Sequence, residues 1–313
     1  MIKIDLITGF LGAGKTTFLK KYARYLMDQN QSICILENDY GAVNVDMMLL
    51  QDLRGEQCEL EMVAGGCDAD CHRRRFKTKL ISMGMCGYDR VLIEPSGIFD
   101  VDEFFDALYE EPLDRWYEIG NVITIVDARM ERDLSKEAEY LLGSQTAGAG
   151  KIILSHAQEA TEDEKVRTLA QINHALEAIS CKRRFQREEL LEKDWDQLEE
   201  KDWQELLACG YESENYVKNW DEDEIGFESL YYMELHMGGQ ELQDAVTRIL
   251  TDPACGHVFR VKGFLQEADG QWMELNATRD TLRLTPIASG QEVVIVIGEA
   301  LVDEKIRLQL QSL

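Results

Sequence analysis

Nine consecutive residues limit what this chain can be more than anything else in it. Gly9-Phe10-Leu11-Gly12-Ala13-Gly14-Lys15-Thr16-Thr17 fits the pattern G-x-x-x-x-G-K-[ST]. It follows a β-branched run at 2–7 and precedes apolar residues at helical spacing, Phe18, Leu19, Tyr22, Tyr25 and Leu26. Strand, glycine-rich turn and helix in that order make a phosphate cradle. Gly9, Gly12, Ala13, Gly14 and Thr17 are the expected cradle residues, because glycines let backbone N–H groups wrap the phosphates and the helix adds its positive dipole end. Lys15 is placed to neutralise the β and γ phosphates, and the Thr16 hydroxyl to ligate Mg²⁺.

The rest of the chain alternates in the same way. Runs at 32–36, 90–93, 122–126 and 151–154 read as buried strands. Between them, Phe104, Phe105, Leu108 and Tyr109, then Val166, Leu169, Ile172 and Leu176, fall at helical spacing. This predicts an α/β fold: a doubly wound, mostly parallel sheet of the P-loop NTPase kind, followed by a smaller C-terminal α+β domain. The expected parts are a nucleotide-binding domain at 1–185, an acidic helical connection at 186–228 and the C-terminal domain at 229–313. Trp195, Trp203 and Trp220 stand among the acids of the connection, which reads as a solvated face without chemistry of its own. Beyond it, strands are expected at 230–236, 257–266, 271–276, 281–285 and 292–298, with helices at 240–250 and from about 302. Turn signals at Ala268-Asp269-Gly270 and Ala288-Ser289-Gly290 suggest hairpins.

Charge narrows the partners. Of 313 residues, 33 are basic and 59 acidic, a net charge of −26, which repels phosphate backbones and anionic lipid surfaces. Nucleic acid and membrane are therefore not expected partners. No apolar run reaches the ~18 residues of a membrane span, and the first residues enter a strand without a basic leader, so the expected compartment is the cytoplasm. Eight cysteines in such a chain read as reduced thiols, some of them metal ligands.

Two further segments carry chemistry. Val91-Leu92-Ile93-Glu94-Pro95-Ser96-Gly97 puts an acid at a strand end, where Glu94 serves Mg²⁺ and the Gly97 N–H senses a γ-phosphate. The loop at 37–46 carries Glu37, Asp39 and Asp46 and is the expected nucleotide-sensing switch. Cys67 and Cys71 stand four apart beside Asp68, Asp70 and His72, a donor mixture that suits Zn²⁺ or a similar late transition metal. A pair of reduced thiols near a helix start is the competing reading. Cys255 and His257 form a pair without a third ligand and read as structural.

Taken together, the Thr8–Thr17 loop, Glu37-Asn38-Asp39-Tyr40-Gly41, the GGC segment at 65–67, the LIEPSG element and Arg260-Val261-Lys262-Gly263-Phe264-Leu265 resemble the CobW family of metal-associated P-loop GTPases. The resemblance extends over nearly the whole chain. It implies a domain related to the nickel-insertion GTPases of urease and hydrogenase, weak GTP hydrolysis coupled to metal binding, and a role as a zinc or cobalt metallochaperone or metal-centre activator. Carried over by position, Gly9 to Thr17 match the nucleotide loop, Glu37 and Asp39 the switch acids, and Glu94 and Gly97 the second phosphate-sensing element. Cys67 matches the first cysteine of the family's C-x-C-C motif. Asp68, Ala69 and Asp70 then break that motif, and the implied metal set becomes Glu37, Cys67, Cys71 and His72. A family glutamate is replaced by Ala42, and with only five histidines a high-capacity metal store is not expected.

The base motif departs as well. Where the family has Asn-Lys-x-Asp, this chain has Ser155-His156-Ala157-Gln158. A carboxylate accepts from both guanine N1–H and its amino group, whereas an amide offers one acceptor. The loss costs on the order of 1.5–3 kcal/mol, or ten- to a hundredfold in selectivity. GTP, ATP, relaxed specificity or a compensating contact all stay open, with Ser155 and Gln158 as the base contacts.

The expected function is a nucleoside triphosphatase in which Lys15, Thr16, Glu94 and Gly97 serve Mg²⁺-dependent turnover of GTP or ATP. Turnover is coupled to Zn²⁺ or Co²⁺ at the cysteine segment, and the client is a metalloprotein or corrinoid-dependent enzyme. The rival is a non-hydrolysing, nucleotide-gated scaffold that activates a partner enzyme. A small-molecule kinase shares the loop, but the sequence offers no clear acceptor site.

Overall fold

In a computed structural model, residues 1–39, 46–64, 69–212, 227–233, 235, 237–279 and 281–311 are described. The chain divides into two compact units, Met1–Glu224 and Ile225–Leu313.

The first unit runs β1 (Ile2–Thr8), α1 (Lys15–Asp28), β2 (Ile33–Asp39), α2 (Asp46–Leu49), β3 (Cys58–Ala64), α3 (Ala69–Gly84), β4 (Arg90–Pro95), α4 (Asp102–Tyr109) and α5 (Leu113–Trp116). It continues through β5 (Tyr117–Asp127), α6 (Lys136–Ala147), β6 (Lys151–Ser155), α7 (Glu162–Ala178), β7 (Leu190–Leu191) and α8 (Glu200–Leu207). The strands form one seven-stranded sheet in the order β3-β2-β4-β1-β5-β6-β7, every pairing parallel. β1 lies between β4 and β5, so the loop that leaves it opens at the carboxyl edge of the sheet, where α/β proteins bind ligands.

Strand side chains alternate between two cores. Cys34, Leu36, Val91 and Ile93 pack with Phe76, Leu80 and Phe104 on one face. Ile33, Ile35 and Leu92 pack with Phe18, Leu19 and Tyr22 of α1 on the other. The two faces sort the residues at the ends of β2 and β4, as described below. At the opposite edge a buried network closes the sheet: Asp5 accepts from Tyr22 Oη at 2.8 Å, Arg90 Nη1 at 2.5 Å and the Asn121 backbone N–H at 2.8 Å. Burial pushes the Tyr22 phenol well above its ordinary pKa, and the Asp5 carboxylate pushes the same way.

The five expected strands are present, and two more join them. β3 reads CELEMVA, an alternating edge strand whose acids hide the apolar pattern, and β7 has only two residues. In the segment expected as an acidic helical connection, α8 is helical and Glu199, Glu200 and Glu205 are exposed, but other parts of it pack on the first unit. β7 extends the parallel sheet, and the Trp203 ring stacks on Tyr25 with centroids 5.0 Å apart and lies 6.2 Å from Phe18. Trp195 meets Phe18 edge-on at 5.5 Å. The indoles bury their apolar surface on α1 while the neighbouring acids stay in water, which is why the segment looks like a charged surface in one dimension. Trp220 lies outside the described residues.

The second unit runs β8 (Phe227–Met233), α9 (Gly239–Thr251), β9 (His257–Gln266), β10 (Trp272–Ala277), β11 (Leu282–Ile287), β12 (Val293–Glu299) and α10 (Asp303–Gln311). Its sheet is antiparallel, in the order β11-β10-β9-β12-β8. Leu242, Val246 and Ile249 of α9 and Ile306 and Leu310 of α10 pack on Val258, Val261, Leu275 and Val296. The turn at 268–270 is the expected hairpin between β9 and β10. The turn at 288–290 is not one, because β12 pairs with β9 and β8 rather than with β11. β9, the longest strand of this sheet and buried over most of its length, takes the central place, and a turn signal alone does not say which edge a following strand joins. Cys255 is buried, and His257 Nδ1 lies 3.5 Å from Glu299 of the paired strand β12. Among the described residues, no helix is long and apolar enough to cross a membrane.

Candidate functional site

The loop after β1 has the backbone of a phosphate cradle. Gly9, Gly12 and Gly14 hold positive φ angles of 141°, 78° and 95°, a region other residues seldom enter. Gly14 is the N-cap of α1, with no side chain capping the first turn and no acid within it. The N–H groups of that turn thus keep their electropositive character for an anion. Lys15 is buried, and its Nζ donates to the Gly9 carbonyl at 3.0 Å, holding the ammonium over the loop.

Strand adjacency completes the site. Because β4 pairs with β1, Glu94 reaches α1, and the Thr16 hydroxyl donates to its Oε1 at 2.7 Å. Glu37 is the register partner of Glu94 across β2 and β4, and both are buried. Two carboxylates and a hydroxyl form a hard-oxygen donor set suited to Mg²⁺ and poorly suited to a soft metal. Gly97 passes so close to the loop that an added Cβ would stand 2.7 Å from the Leu11 backbone nitrogen. Its carbonyl accepts from Gln145 Nε2 of α6 at 3.0 Å. The segment expected to sense a γ-phosphate is therefore in contact with the glycine-rich loop.

The implied metal ligands fall on different faces. Glu37 follows Ile33 and Ile35 onto the α1 face, whereas Asn38 follows Cys34 and Leu36 onto the α3 face. There His72 of α3, fully buried, places Nε2 2.8 Å from Asn38 Oδ1. Asn38 Nδ2 is buried with no hydrogen-bond partner among the described residues. Cys71 is half-buried in the first turn of α3. Cys67, the side chain of Asp39 and residues 40–45 of the expected switch lie outside the described residues. Among the described residues, no group of three or more His, Cys, Asp or Glu side chains is gathered closely enough to hold a metal.

The residues expected to meet the base stand at and just beyond the end of β6, which lies between β5 and β7. Ser155 closes β6 and is buried, while His156 adopts a φ of 53° and sets Nδ1 2.9 Å from Asp127 Oδ2 at the end of β5. Gln158 is exposed and donates from Nε2 to the Glu192 carbonyl at 3.3 Å. Sequence reasoning did not single out Asn38, Gln145, Glu192 or Trp195 for this site. Of these only Asn38 carried a signal, as the second residue of the ENDYG segment.

A parallel sheet whose first strand feeds this loop into α1, with an acid from the adjacent strand on the loop's threonine, defines a P-loop nucleotide-binding protein. More narrowly, the chain belongs to the CobW/HypB/UreG family, whose nucleotide-binding domain model matches residues 3–184. The zinc chaperone YjiA of Escherichia coli is 30% identical over 182 residues, 55% of this chain and 55% of that protein. The zinc chaperone YeiR of the same species is 28% identical over 166 residues, 53% and 49% of the two chains. Zinc-regulated GTPase metalloprotein activator 1 of Schizosaccharomyces pombe is 23% identical over 188 residues, 58% of this chain and 44% of that protein. The chain thus spans about half the length of the curated relatives it matches. A crystal structure of zinc-bound YjiA shares 20% identity, covering 98% of this chain and 97% of that one, at a TM-score of 0.35.

Proposed function

We propose that this chain binds and slowly hydrolyses a nucleoside triphosphate and couples that cycle to transition-metal binding, acting as a metallochaperone or metalloprotein activator. The observation that carries the reading is the junction of Thr16, Glu94 and Gly97 at the phosphate loop: donor, acid and sensing glycine meet where a triphosphate would end. In this reading the backbone N–H groups of α1's first turn and Lys15 hold the phosphates, and Thr16 with Glu94 holds Mg²⁺. When bound, Mg²⁺ neutralises charge on the phosphate oxygens. Gly97 moves with the triphosphate, and the segment it begins carries the change toward α4. Zinc is the metal named by relatives, which supports Zn²⁺ over Co²⁺ as cargo and a metalloprotein as client; a corrinoid-dependent enzyme is a narrower form of the same reading. Cys67 and Cys71 are the thiolates assigned to the metal, with His72 of α3 as a further expected ligand; Glu37 stands on the other face of β2, beside Glu94, and belongs to the Mg²⁺ side of the site.

The test joins turnover and metal affinity. Single-turnover hydrolysis with Mg²⁺ should be measurable in the wild type and lost in Lys15→Ala. Zinc affinity, read by competition with a chromophoric chelator, should differ between the nucleotide-free, diphosphate and non-hydrolysable triphosphate states, because coupling is reciprocal. Equal zinc affinity in all three states rejects the coupling, and turnover that survives Lys15→Ala rejects the site.

A further inference from the structure

We propose that the nucleotide site takes purine nucleoside triphosphates without selecting guanine, so that ATP is a ligand on a par with GTP. The inference rests on the nucleotide-binding reading above and concerns the end of the site that faces the base.

Three features of that end agree. The first is Gln158. Its Nε2 donates to the Glu192 carbonyl at 3.3 Å, which spends one N–H on the protein and fixes the plane of the amide. What remains is one acceptor, Oε1, beside one N–H donor. That pair matches guanine, whose N1–H and O6 are donor and acceptor. It matches adenine equally, whose N6–H and N1 are donor and acceptor. A carboxylate in this position would accept twice and repel adenine N1; the amide has no such bias.

The second feature is the seam between the base loop and the phosphate loop. An added Cβ on Gly14 would lie 3.1 Å from Cη2 of Trp195 and 4.0 Å from the Cβ of Ser155. The indole of Trp195 and the small Ser155 thus both border the phosphate loop at Gly14. Trp195 is held there by its edge contact with Phe18 and by the Lys21–Asp196 ion pair at the next residue. The three atoms that a Gly14 side chain would meet first there are all carbon, two of the indole ring and the Ser155 Cβ.

The third is His156. It is committed to Asp127, at 2.9 Å, on the side of β5. Affinity then comes from the phosphates, through the Gly9–Thr17 loop, and the base contributes contact without discrimination.

The experiment is calorimetric titration of the full chain in Mg²⁺ with the non-hydrolysable analogues of GTP and ATP, for the wild type and for Gln158→Asp. Gln158 is exposed, so the substitution leaves the core untouched. The expected result is dissociation constants for the two analogues within about tenfold of each other in the wild type, and a shift of about ten- to a hundredfold toward guanine in Gln158→Asp. A wild type that prefers the GTP analogue by more than about tenfold overturns the proposal and leaves the nucleotide-binding reading standing. An unchanged ratio in Gln158→Asp also overturns it, because the amide is then not the discriminating group. Failure of both analogues to bind overturns the nucleotide reading itself, and the proposal with it.

Discussion

Gly97→Ala tests whether the two phosphate-sensing elements work through contact. A Cβ at this position would stand 2.7 Å from the Leu11 nitrogen, 2.8 Å from its Cδ2 and 2.9 Å from its Cα, where ordinary contact begins near 3.4 Å. Two of those neighbours are backbone atoms of the phosphate loop and cannot swing aside, so one element must retreat by about 0.7 Å, the shortfall of the closest contact. Overpacking of this kind costs about 1–3 kcal/mol of stability. Displacement matters more for chemistry, since misplacing a reacting group by ~1 Å costs on the order of a hundredfold in rate. Single-turnover phosphate release should fall about ten- to a hundredfold in Gly97→Ala, while triphosphate affinity, carried by the loop, changes by less than about tenfold. Gly120→Ala is the control: its Cβ would meet Asp5 Oδ1 at 2.3 Å, at the other edge of the sheet. It should destabilise the fold comparably and leave the rate per folded molecule unchanged. Wild-type turnover in Gly97→Ala, or an equal loss in Gly120→Ala, would refute the reasoning.

Three further outcomes are expected. Arg90→Ala leaves Asp5, fully buried, without its cation, and equilibrium urea unfolding should show a loss of about 3–5 kcal/mol; a loss under ~1 kcal/mol would mean the network is not coupled to folding. Trp203→Ala removes a half-buried ring that stacks on Tyr25 and lies over Phe18 and should cost about 1–3 kcal/mol in the same assay, where a solvated connector would cost nothing measurable. Burial pushes the Cys58 thiol up to about 11 and the Cys209 thiol up to about 12, with Glu59 and Asp5 respectively adding to the effect. Both thiols bind their protons more tightly folded than unfolded, so their contribution is complete below the unfolded value near ~8.5 and is lost as pH rises toward the folded values. The urea midpoint should therefore fall between about pH 9 and 11, and less steeply in the Cys58→Ala, Cys209→Ala double variant; parallel curves would sink the assignment.

Local patterns carried the phosphate site. The G-x-x-x-x-G-K-[ST] run dictates its own backbone, because its glycines and the helix behind them act within nine residues. Glu94 and Gly97 were legible for a related reason: one stands at the end of a buried strand and the other just beyond it. β3 was missed because its alternate positions are acids, and where the tryptophans of the acidic connection pack stayed open because their partner surface, on α1, lies far back in the sequence.

The sequence by itself determined the alternation of strands and helices, the phosphate loop and the departures of the base and cysteine segments from their family pattern. Those are properties of neighbours along the chain, set by period, turn chemistry and side-chain type. Only the tertiary structure decided that β4 lies beside β1 and brings Glu94 to Thr16, that Glu37 and Asn38 part to opposite faces, and that an indole from residue 195 borders the phosphate loop at Gly14. Strand order and long-range packing depend on which apolar surfaces meet after collapse, and that choice is made by the whole sheet at once.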